Sequence, residues 1–391
     1  MSKVYFADER TGAQVYSQLD RLEGLFYVSG IQNAVCKGDR VAIKVHFGER
    51  GNTRYLRPCF VRKVVDLVRE LGGQPFVTDT TILYGQPPTY FKPRKKRRIP
   101  SRRGTVEEYL ETAAMNGFSP ETMGCPIVIG DEQGGVETEI CGNELKKFEV
   151  AKAIAESDAL IVLTHVNRLA AGCIKNVGVG CATKKGKGYI HKPRTVLVDA
   201  SKCTGCVGLA IPRCVEVCPI EDAIRITGDK AVIDYNLCLS CGICIDHQSV
   251  CPVGALSIPK EKHQGFCIRI ADGCAAVLGL FDRSKIGFID FLREICPYCD
   301  CAVAQDVPVI QDVGILASTD PCALEMCVTD LVLRSPSLPN SLLEGVEAER
   351  RFEILGVEPL LYVRSLENLN LGFSSKYELV ELTGEILETI L

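Results

Sequence analysis

Short apolar runs alternate with an amphipathic segment in the first part of the chain. Residues 40–47 (RVAIKVHF) and 75–79 (PFVTD) predict strands, and residues 61–71 (VRKVVDLVREL) carry apolar side chains at helical spacing. The pair Gly72-Gly73 marks the end of that helix. A strand, a helix and a second strand in this order predict a parallel pair joined by a crossover helix. The expected fold class is therefore α/β, with a doubly wound, mostly parallel sheet.

The same alternation continues on both sides of a central cysteine-rich segment. Further strands are predicted at 126–130, 159–164, 195–198, 308–310 and 314–317. Further helices are predicted at 145–157, 286–295 and 320–334. We therefore expect a split α/β domain, with a first part at 1–198 and a second part at 261–391, around an inserted α+β module at 199–260.

Overall composition narrows the class of protein. The 391 residues include 46% hydrophobic and 24% charged residues and have a net charge of -4, which is typical of a globular chain of two to three domains. No run approaches the roughly 18 apolar residues of a membrane span. Charged residues at 8–10 fall where the apolar core of a secretion signal would lie. We expect a cytoplasmic protein without a membrane partner.

Cysteine is the unusual residue type, because 21 of the 391 residues are cysteine. In a reducing compartment this content favours metal ligation over disulfides. Eight of these cysteines form two groups, in which the last member precedes proline. The first group is Cys203, Cys206, Cys214 and Cys218, and the second is Cys238, Cys241, Cys244 and Cys251.

Both groups are variants of the C-x2-C-x2-C-x3-C-P run that holds 4Fe-4S clusters, in which the last cysteine ligates the other cluster. The predicted ligand sets are Cys203, Cys206, Cys214 and Cys251 for one cluster, and Cys238, Cys241, Cys244 and Cys218 for the other. The alternative is a pair of four-cysteine zinc sites, which would lack the Cys-Pro endings and the third cysteine of each group. The spacing thus predicts a ferredoxin-like module that carries two 4Fe-4S clusters and transfers single electrons.

A further cysteine group, Cys296, Cys299 and Cys301, follows the helix predicted at 286–295. Three thiols are one ligand short of a four-cysteine metal site or a third cubane. Cys181 is the candidate fourth ligand, and His46, His165 and His191 are alternatives because imidazole binds zinc, nickel and iron. The competing interpretation is a set of half-buried thiols without a ligand. The hypothesis is a third cluster or a single metal ion held by Cys181, Cys296, Cys299, Cys301 and His46.

The glycine-rich segment 172–187 (GCIKNVGVGCATKKGK) combines small residues with lysines. Backbone amides and lysine charges suit a phosphate or carboxylate, so the segment predicts a loop that binds an anionic small molecule, unless it is merely solvated. The candidate anion-binding residues are Lys44, Lys175, Asn176, Lys185 and Lys187. Neither a Walker A motif nor a G-x-G-x-x-G turn is present, so no nucleotide motif supports this site.

Residues 92–103 (KPRKKRRIPSRR) carry eight basic residues and no acidic residue. Such a run predicts an exposed loop that docks an acidic partner or an anionic cofactor, or one that is simply solvated. Nucleic acid is an unfavoured partner, because aromatic residues are not interleaved with the basic ones.

Five of these stretches together resemble the ferredoxin-containing proteins of the domain of unknown function 362 (DUF362) family. They are 44–58 (KVHFGERGNTRYLRP), 172–191, the ferredoxin insert, 296–301 (CPYCDC) and 312–325 (DVGILASTDPCALE). The resemblance implies an α/β domain with an iron–sulfur electron-transfer insert in anaerobic metabolism, and it leaves the chemical role undefined. The chain departs from the family pattern in its enlarged basic segment 86–103 and at Cys296 and Tyr298.

The resulting hypothesis is an iron–sulfur protein that relays single electrons through two clusters to a pocket or to a redox partner protein. One alternative is an iron–sulfur oxidoreductase, a reductase that acts on an anionic substrate or cofactor at the third metal site. The other is an activation or maturation factor for a partner metalloenzyme, docked through the basic loop.

Overall fold

A computed structural model describes residues 1–10, 16–84, 101–168, 172–209, 211–246 and 251–390. The strands are β1 (Ser2–Asp8), β2 (Arg40–Lys44), β3 (Gln74–Asp79), β4 (Ile127–Ile129), β5 (Gly135–Glu139), β6 (Lys147–Ala151), β7 (Ala159–His165), β8 (Leu197–Val198), β9 (Ile224–Thr227), β10 (Lys230–Ile233), β11 (Leu256–Ser257), β12 (Ile286–Leu292), β13 (Gly314–Ser318) and β14 (Tyr377–Glu381). The helices are α1 (Gln18–Val28), α2 (Pro58–Glu70), α3 (Val106–Met115), α4 (Pro120–Met123), α5 (Lys152–Ala155), α6 (Cys173–Gly180), α7 (Lys184–His191), α8 (Arg213–Val217), α9 (Ile243–Asp246), α10 (Lys260–Leu278), α11 (Pro321–Arg334), α12 (Arg351–Leu355), α13 (Pro359–Glu367) and α14 (Gly384–Ile390). None of the helices in these ranges is long and apolar enough to cross a membrane.

Eight strands form one large sheet in the order β14-β1-β13-β12-β7-β2-β3-β4. Strand β13 pairs antiparallel with both of its neighbours, and the other neighbouring strands are parallel. Each face of the sheet is covered by its own buried apolar cluster, one with α1 and α2 and the other with α6, α10 and α11. The predicted α/β fold with a doubly wound, mostly parallel sheet is confirmed.

Two of the predicted helices are wrong. Residues 286–292 (IGFIDFL) form strand β12, which is buried along its whole length between β7 and β13. A short apolar run that is covered on both faces has the same sequence pattern as a buried helix, so periodicity could not separate the two. The helix predicted at 145–157 contains β6, which pairs antiparallel with β5, and only the single turn α5 follows it.

The glycine-rich segment 172–187 is mostly helical and is not the open anion-binding loop predicted from sequence. It forms α6 and the first part of α7, so most of its backbone amides are engaged in helices. Its glycines permit close packing. A Cβ atom on Gly178 would lie 2.2 Å from the carbonyl oxygen of Ile270 in α10, and one on Gly180 would lie 2.6 Å from the Nζ atom of Lys44.

The cysteine-rich insert has an apolar core of its own. This core draws its residues from 196–258 and lies around the β9–β10 hairpin. Strands β8 and β11 pair antiparallel at the base of the insert, so the chain enters and leaves the module side by side. This arrangement lets a small α+β unit interrupt the larger domain without breaking its sheet.

Candidate functional site

Four of the predicted ligand cysteines line a single cavity in the insert. They are Cys203, Cys206, Cys214 and Cys251. Burial raises the pKa of the Cys214 thiol to about 11, and the three neighbouring thiols contribute to this shift. Because Cys251 belongs to the second sequence group, the fold places the last cysteine of one group beside the first three of the other.

Backbone amides point at two of these sulfur atoms. The amide of Ala231 donates to Cys203 Sγ at 3.3 Å, and the amide of Ala255 donates to Cys251 Sγ at 3.2 Å. Hydrogen bonds to sulfur stabilise the thiolate form that ligates iron and tune the potential of a cluster. Four thiols around an apolar cavity with amide donors therefore fit a 4Fe-4S cluster.

Of the other four predicted ligands, Cys241 contacts a residue of the α/β domain. Cys218 directly follows α8, which packs against the helix α9 that carries Cys244. Arg194, which follows α7, donates from Nη1 to the carbonyl oxygen of Cys241 at 3.0 Å. Cys218 and Cys244 belong to the apolar core of the insert, and Cys238 and Cys241 pack against it.

Cys299 and Cys301 form a close pair of half-buried thiols at the carboxyl edge of the large sheet. The amide of Cys301 donates to Cys299 Sγ at 3.4 Å, and the ammonium group of Lys175 lies 3.8 Å from the same sulfur. A hydrogen bond from the Cys301 thiol, together with the charge of Lys175, holds the pKa of Cys299 well below its usual range in spite of burial. The neighbouring Lys175 charge therefore favours a thiolate at Cys299. We call this pair of thiols the dithiol pocket.

Asp300, between the two cysteines, is held by residues at the end of β7. His165 Nδ1 lies 3.0 Å from Asp300 Oδ1, and the side-chain amide of Asn167 donates to the same carboxylate. His165 Nε2 lies 2.7 Å from the carbonyl oxygen of Arg293. Burial lowers the pKa of His165, but Asp300, the carbonyl oxygen of Arg293 and Glu294 together raise it by more, so the net shift is upward. Each ring nitrogen of His165 faces an acceptor, and its pKa is raised, so the ring favours the imidazolium form. This imidazolium holds Asp300 and the turn that carries the two cysteines.

The structure brings together only part of the predicted third metal site. His46 lies close enough to Cys299 for their charges to interact, and Cys301 is adjacent. Cys296 is buried, and its thiol donates to two backbone carbonyl groups away from this pair. Cys181 is buried elsewhere, beside Lys44. Across the described ranges, no three His, Cys, Asp or Glu side chains converge closely enough to hold a single metal ion.

Both ring nitrogens of His46 already have neighbours. Its Nδ1 atom accepts a hydrogen bond from the amide of Gly48 at 2.9 Å, and its Nε2 atom lies 3.1 Å from Arg103 Nη1. Burial and the positive charge of Arg103 lower the pKa of His46, so the ring is neutral. His46 is therefore a packed histidine that contacts Arg103 and not a ligand free to bind a metal.

The last residues of the basic segment 92–103 do not all form the exposed loop predicted from sequence. Arg103 is buried, and its Nε atom lies 2.9 Å from a carboxylate oxygen of Glu49, which also accepts from Ser101 and from the amide of Arg102. Residues 85–100, which include most of the basic run, lie outside the described residues. In the part that is described, Ser101 and Arg103 are buried against Glu49, whereas Arg102 is exposed.

Lys44 and Asn176, two of the predicted anion-binding residues, are partners in a buried ion-pair network. Lys44 is fully buried, and its Nζ atom lies 3.0 Å from Asp79 Oδ1 and donates to Asn176 Oδ1 at 2.8 Å. Burial raises the pKa of Asp79, but Lys44 and its other neighbours lower it to about 2. These charges neutralise one another inside the protein, so they are not available to an outside anion.

The remaining three anion-binding candidates differ in position. Lys187 is buried and donates to Thr80 and to the carbonyl oxygens of Thr81 and Ala182, and burial lowers its pKa to about 8. Lys185 is exposed and pairs with two glutamates. Lys175 alone of the five predicted residues contacts the dithiol pocket.

Tyr84 is close enough to Cys301 of the dithiol pocket and to Cys241 of the second ligand set for their charges to interact. Its ring packs against the apolar core of the insert. Burial raises its pKa well above the usual range, and the thiols of Cys301 and Cys241 add to this shift. One aromatic side chain is therefore close to a cysteine of each site, which no sequence motif had indicated.

Glu325, another residue that sequence reasoning did not single out, positions the helix that carries Lys175. Its carboxyl group accepts hydrogen bonds from the amides of Gly172 at 3.2 Å and Ile174 at 3.3 Å, at the start of α6. Burial raises the pKa of Glu325 to about 7, although these two amides lower it. The only sequence signal was its position in the stretch 312–325 that resembles the family.

Glu325 is expected to keep its proton up to about pH 7 in the folded protein. The same carboxyl ionises near pH 4.5 when it is unperturbed. The stability contributed by the protonated form is therefore fully present below about pH 4.5 and is lost as the pH rises through about 7. Infrared spectra should show a protonated-carboxyl component that disappears with a midpoint near pH 7. Glu325→Gln should lack this protonated-carboxyl component, and the exposed control Glu385→Gln should keep it. If the component persists in Glu325→Gln, it does not come from Glu325.

Comparison with known proteins finds one family that matches most of the chain and ferredoxins that match a short segment of it. Residues 41–330 match the family described as "Domain of unknown function (DUF362)". A protein named "Ferredoxin 7Fe" from Hydrogenibacillus schlegelii is 43% identical over 60 residues, which are 14% of this chain and 72% of that relative. An uncharacterized ferredoxin from Methanocaldococcus jannaschii is 39% identical over 67 residues, which are 17% of this chain and 97% of that relative. The apoprotein of lactate racemase from Thermoanaerobacterium thermosaccharolyticum aligns with 74% of this chain and 50% of its own length, at a TM-score of 0.33 and 12% identity.

Proposed function

This chain belongs to the domain of unknown function (DUF362) family and contains a ferredoxin-like segment, and from its cysteine geometry we propose that it relays single electrons from a donor protein to the dithiol pocket. When bound, two 4Fe-4S clusters would supply the one-electron chemistry. The eight insert cysteines would hold them in the two crossed sets described above.

The convergence of Cys251 with Cys203, Cys206 and Cys214 around one cavity carries this proposal. A pair of independent four-cysteine zinc sites would keep each sequence group together. Crossed ligation instead ties the two clusters into one compact module, which suits electron transfer between them.

The two sides of the insert suggest a direction for the relay. Beyond Cys206, the apolar side chains of Val207, Leu209 and Ile211 are 85%, 49% and 52% exposed. We propose that the donor protein docks on this uncharged surface, next to the first ligand set. Tyr84 interacts electrostatically with Cys241 of the second ligand set and with Cys301 of the dithiol pocket. We therefore propose that electrons leave the insert from the second ligand set.

The alternative roles have less support from the geometry. A reductase for an anionic substrate would need free cationic groups, and Lys44, Lys187 and Lys185 are occupied by partners within the protein. An activation factor would depend on the basic run, most of which lies outside the described residues.

Anaerobically purified protein is expected to contain about eight iron and about eight sulfide per chain, because two cubanes use all eight insert cysteines. Reduction should produce the paramagnetic resonance signals of two interacting 4Fe-4S clusters. About two zinc per chain without iron would overturn the proposal. About seven iron would contradict the assignment of eight ligands and would match the name of the relative from Hydrogenibacillus schlegelii.

A further inference from the structure

We propose that Cys299 and Cys301 are a dithiol–disulfide couple that accepts two electrons from the relay and passes them to a disulfide substrate. This inference rests on the proposed function, because the two insert clusters are its source of electrons. It replaces the metal site predicted for these two cysteines with redox chemistry of the thiols themselves.

The first support is the geometry of the two thiols. They are separated by one residue, and the amide of Cys301 donates to Cys299 Sγ at 3.4 Å. Both are partly exposed, whereas Cys296 and Cys181, the other cysteines of the predicted metal site, are buried. A substrate could therefore reach this pair and not the other two.

The second support is the charge around Cys299. The Lys175 ammonium group, 3.8 Å from Cys299 Sγ, stabilises a thiolate at this position. Thiol–disulfide exchange proceeds by attack of a thiolate, and a thiol with a lowered pKa is also the better leaving group. Cys299 is thus suited to attack a substrate, and Cys301, whose pKa is raised well above its usual range by the neighbouring Cys299 thiol and by burial, is suited to resolve the mixed disulfide.

The third support is the rigidity of the turn that carries the pair. The side-chain amide of Asn52 donates to the carbonyl oxygens of Asp300 and Ala302, at 3.2 Å and 3.0 Å. The amide of Glu49 donates to the same Asp300 carbonyl group at 3.0 Å. The loop after β2 and the end of β7 therefore clamp this turn from two directions, which keeps the two sulfur atoms together in the reduced form.

The fourth support is the route for electrons. Tyr84 packs on the core of the insert and lies near both Cys241 and Cys301. A disulfide needs two electrons for each turnover, whereas each cluster supplies one. The two clusters proposed for the insert would together supply the two electrons that one disulfide requires.

The Cys299–Cys301 disulfide takes up two electrons, one from each reduced cluster, and one proton, so that its S–S bond breaks to give the Cys299 thiolate and the Cys301 thiol. The thiolate then attacks a substrate disulfide and releases one substrate thiolate. Cys301 loses its proton and displaces the second substrate sulfur, which leaves as a thiol and restores the protein disulfide. A one-electron donor protein reduces the clusters again.

A reductive titration of the cluster-loaded full chain tests this inference. Oxidised wild-type protein is expected to take up about four electrons, two for the clusters and two for the disulfide. Cys299→Ser, Cys301→Ser and the double variant should each take up about two electrons while they retain about eight iron. The exposed-cysteine control Cys141→Ser should behave as wild type. Mass spectrometry after alkylation should show the peptide with Cys299 and Cys301 blocked before reduction and doubly alkylated afterwards.

Several results would overturn the inference without affecting the proposed function. Uptake of about two electrons by wild-type protein that holds about eight iron, with this peptide alkylated in both states, would show that no disulfide forms. A stoichiometric additional metal that is lost in Cys299→Ser would show that the pair is a metal site. A failure of the proposed function itself would appear earlier, as the absence of iron from the insert.

Discussion

Cys251→Ala is expected to lower the iron content from about eight to about four per chain, because one of two cubanes loses a ligand. The cluster that is lost should be the one held by Cys203, Cys206 and Cys214, since Cys251 lines the cavity of that set. Iron analysis, together with paramagnetic resonance of the reduced protein, measures this effect.

Two further variants identify which cluster disappears. Under crossed ligation, the residual resonance spectrum of Cys251→Ala should match that of Cys203→Ala and differ from that of Cys238→Ala. The opposite match would show that each sequence group holds its own cluster. Cys141→Ala, at an exposed cysteine outside the insert, should keep the full iron content.

Lys44→Met is expected to lower the free energy of unfolding by about 3–5 kcal/mol, because it leaves the buried Asp79 carboxylate without its partner. Lys44 is fully buried, and the 3.0 Å ion pair with Asp79 is accompanied by a hydrogen bond to Asn176. The urea dependence of far-ultraviolet circular dichroism, recorded anaerobically on cluster-loaded protein, provides the measurement.

Matched variants separate the lost ion pair from the loss of a lysine as such. Lys185→Met removes an exposed lysine that pairs with Glu137 and Glu149, and it should cost at most about 1 kcal/mol. Adding Asp79→Asn to Lys44→Met should restore a large part of the lost stability, because it removes the unpaired charge. Equal effects of Lys44→Met and Lys185→Met would contradict the role assigned to the buried pair.

The regular elements of the fold were predictable where their pattern is local. The helix predicted at 61–71 overlaps α2 to its last residue, and the strands predicted at 40–47 and 75–79 correspond to β2 and β3, because one apolar face repeats at the period of each element. Strand β12 was missed, since its seven residues are buried between two other strands that are distant in sequence. Only those long-range partners distinguish it from a helix.

In the candidate site too, local features were predictable from the sequence and long-range contacts were not. Spacing along the chain predicts both ligand sets of the insert, because a C-x2-C turn brings two thiols to one cluster through a few covalently linked residues. Spacing also drew attention to Cys299 and Cys301. It could not show that the Cys296 thiol points toward backbone carbonyl groups or that Cys181 is buried beside Lys44, since side-chain direction depends on packing with other elements.

The sequence by itself determined the α/β class, and it predicts the split domain pattern and the iron–sulfur character of the insert, because short-range periodicity and cysteine spacing are local signals. The tertiary structure decided which charged side chains remain available to bind a ligand or a partner. Lys44 and Arg103, which the sequence presented as anion-binding and partner-binding groups, are buried against Asp79 and Glu49. The physical reason is that a buried charge requires an opposite charge, and the chain supplies that partner from a strand or loop dozens of residues away.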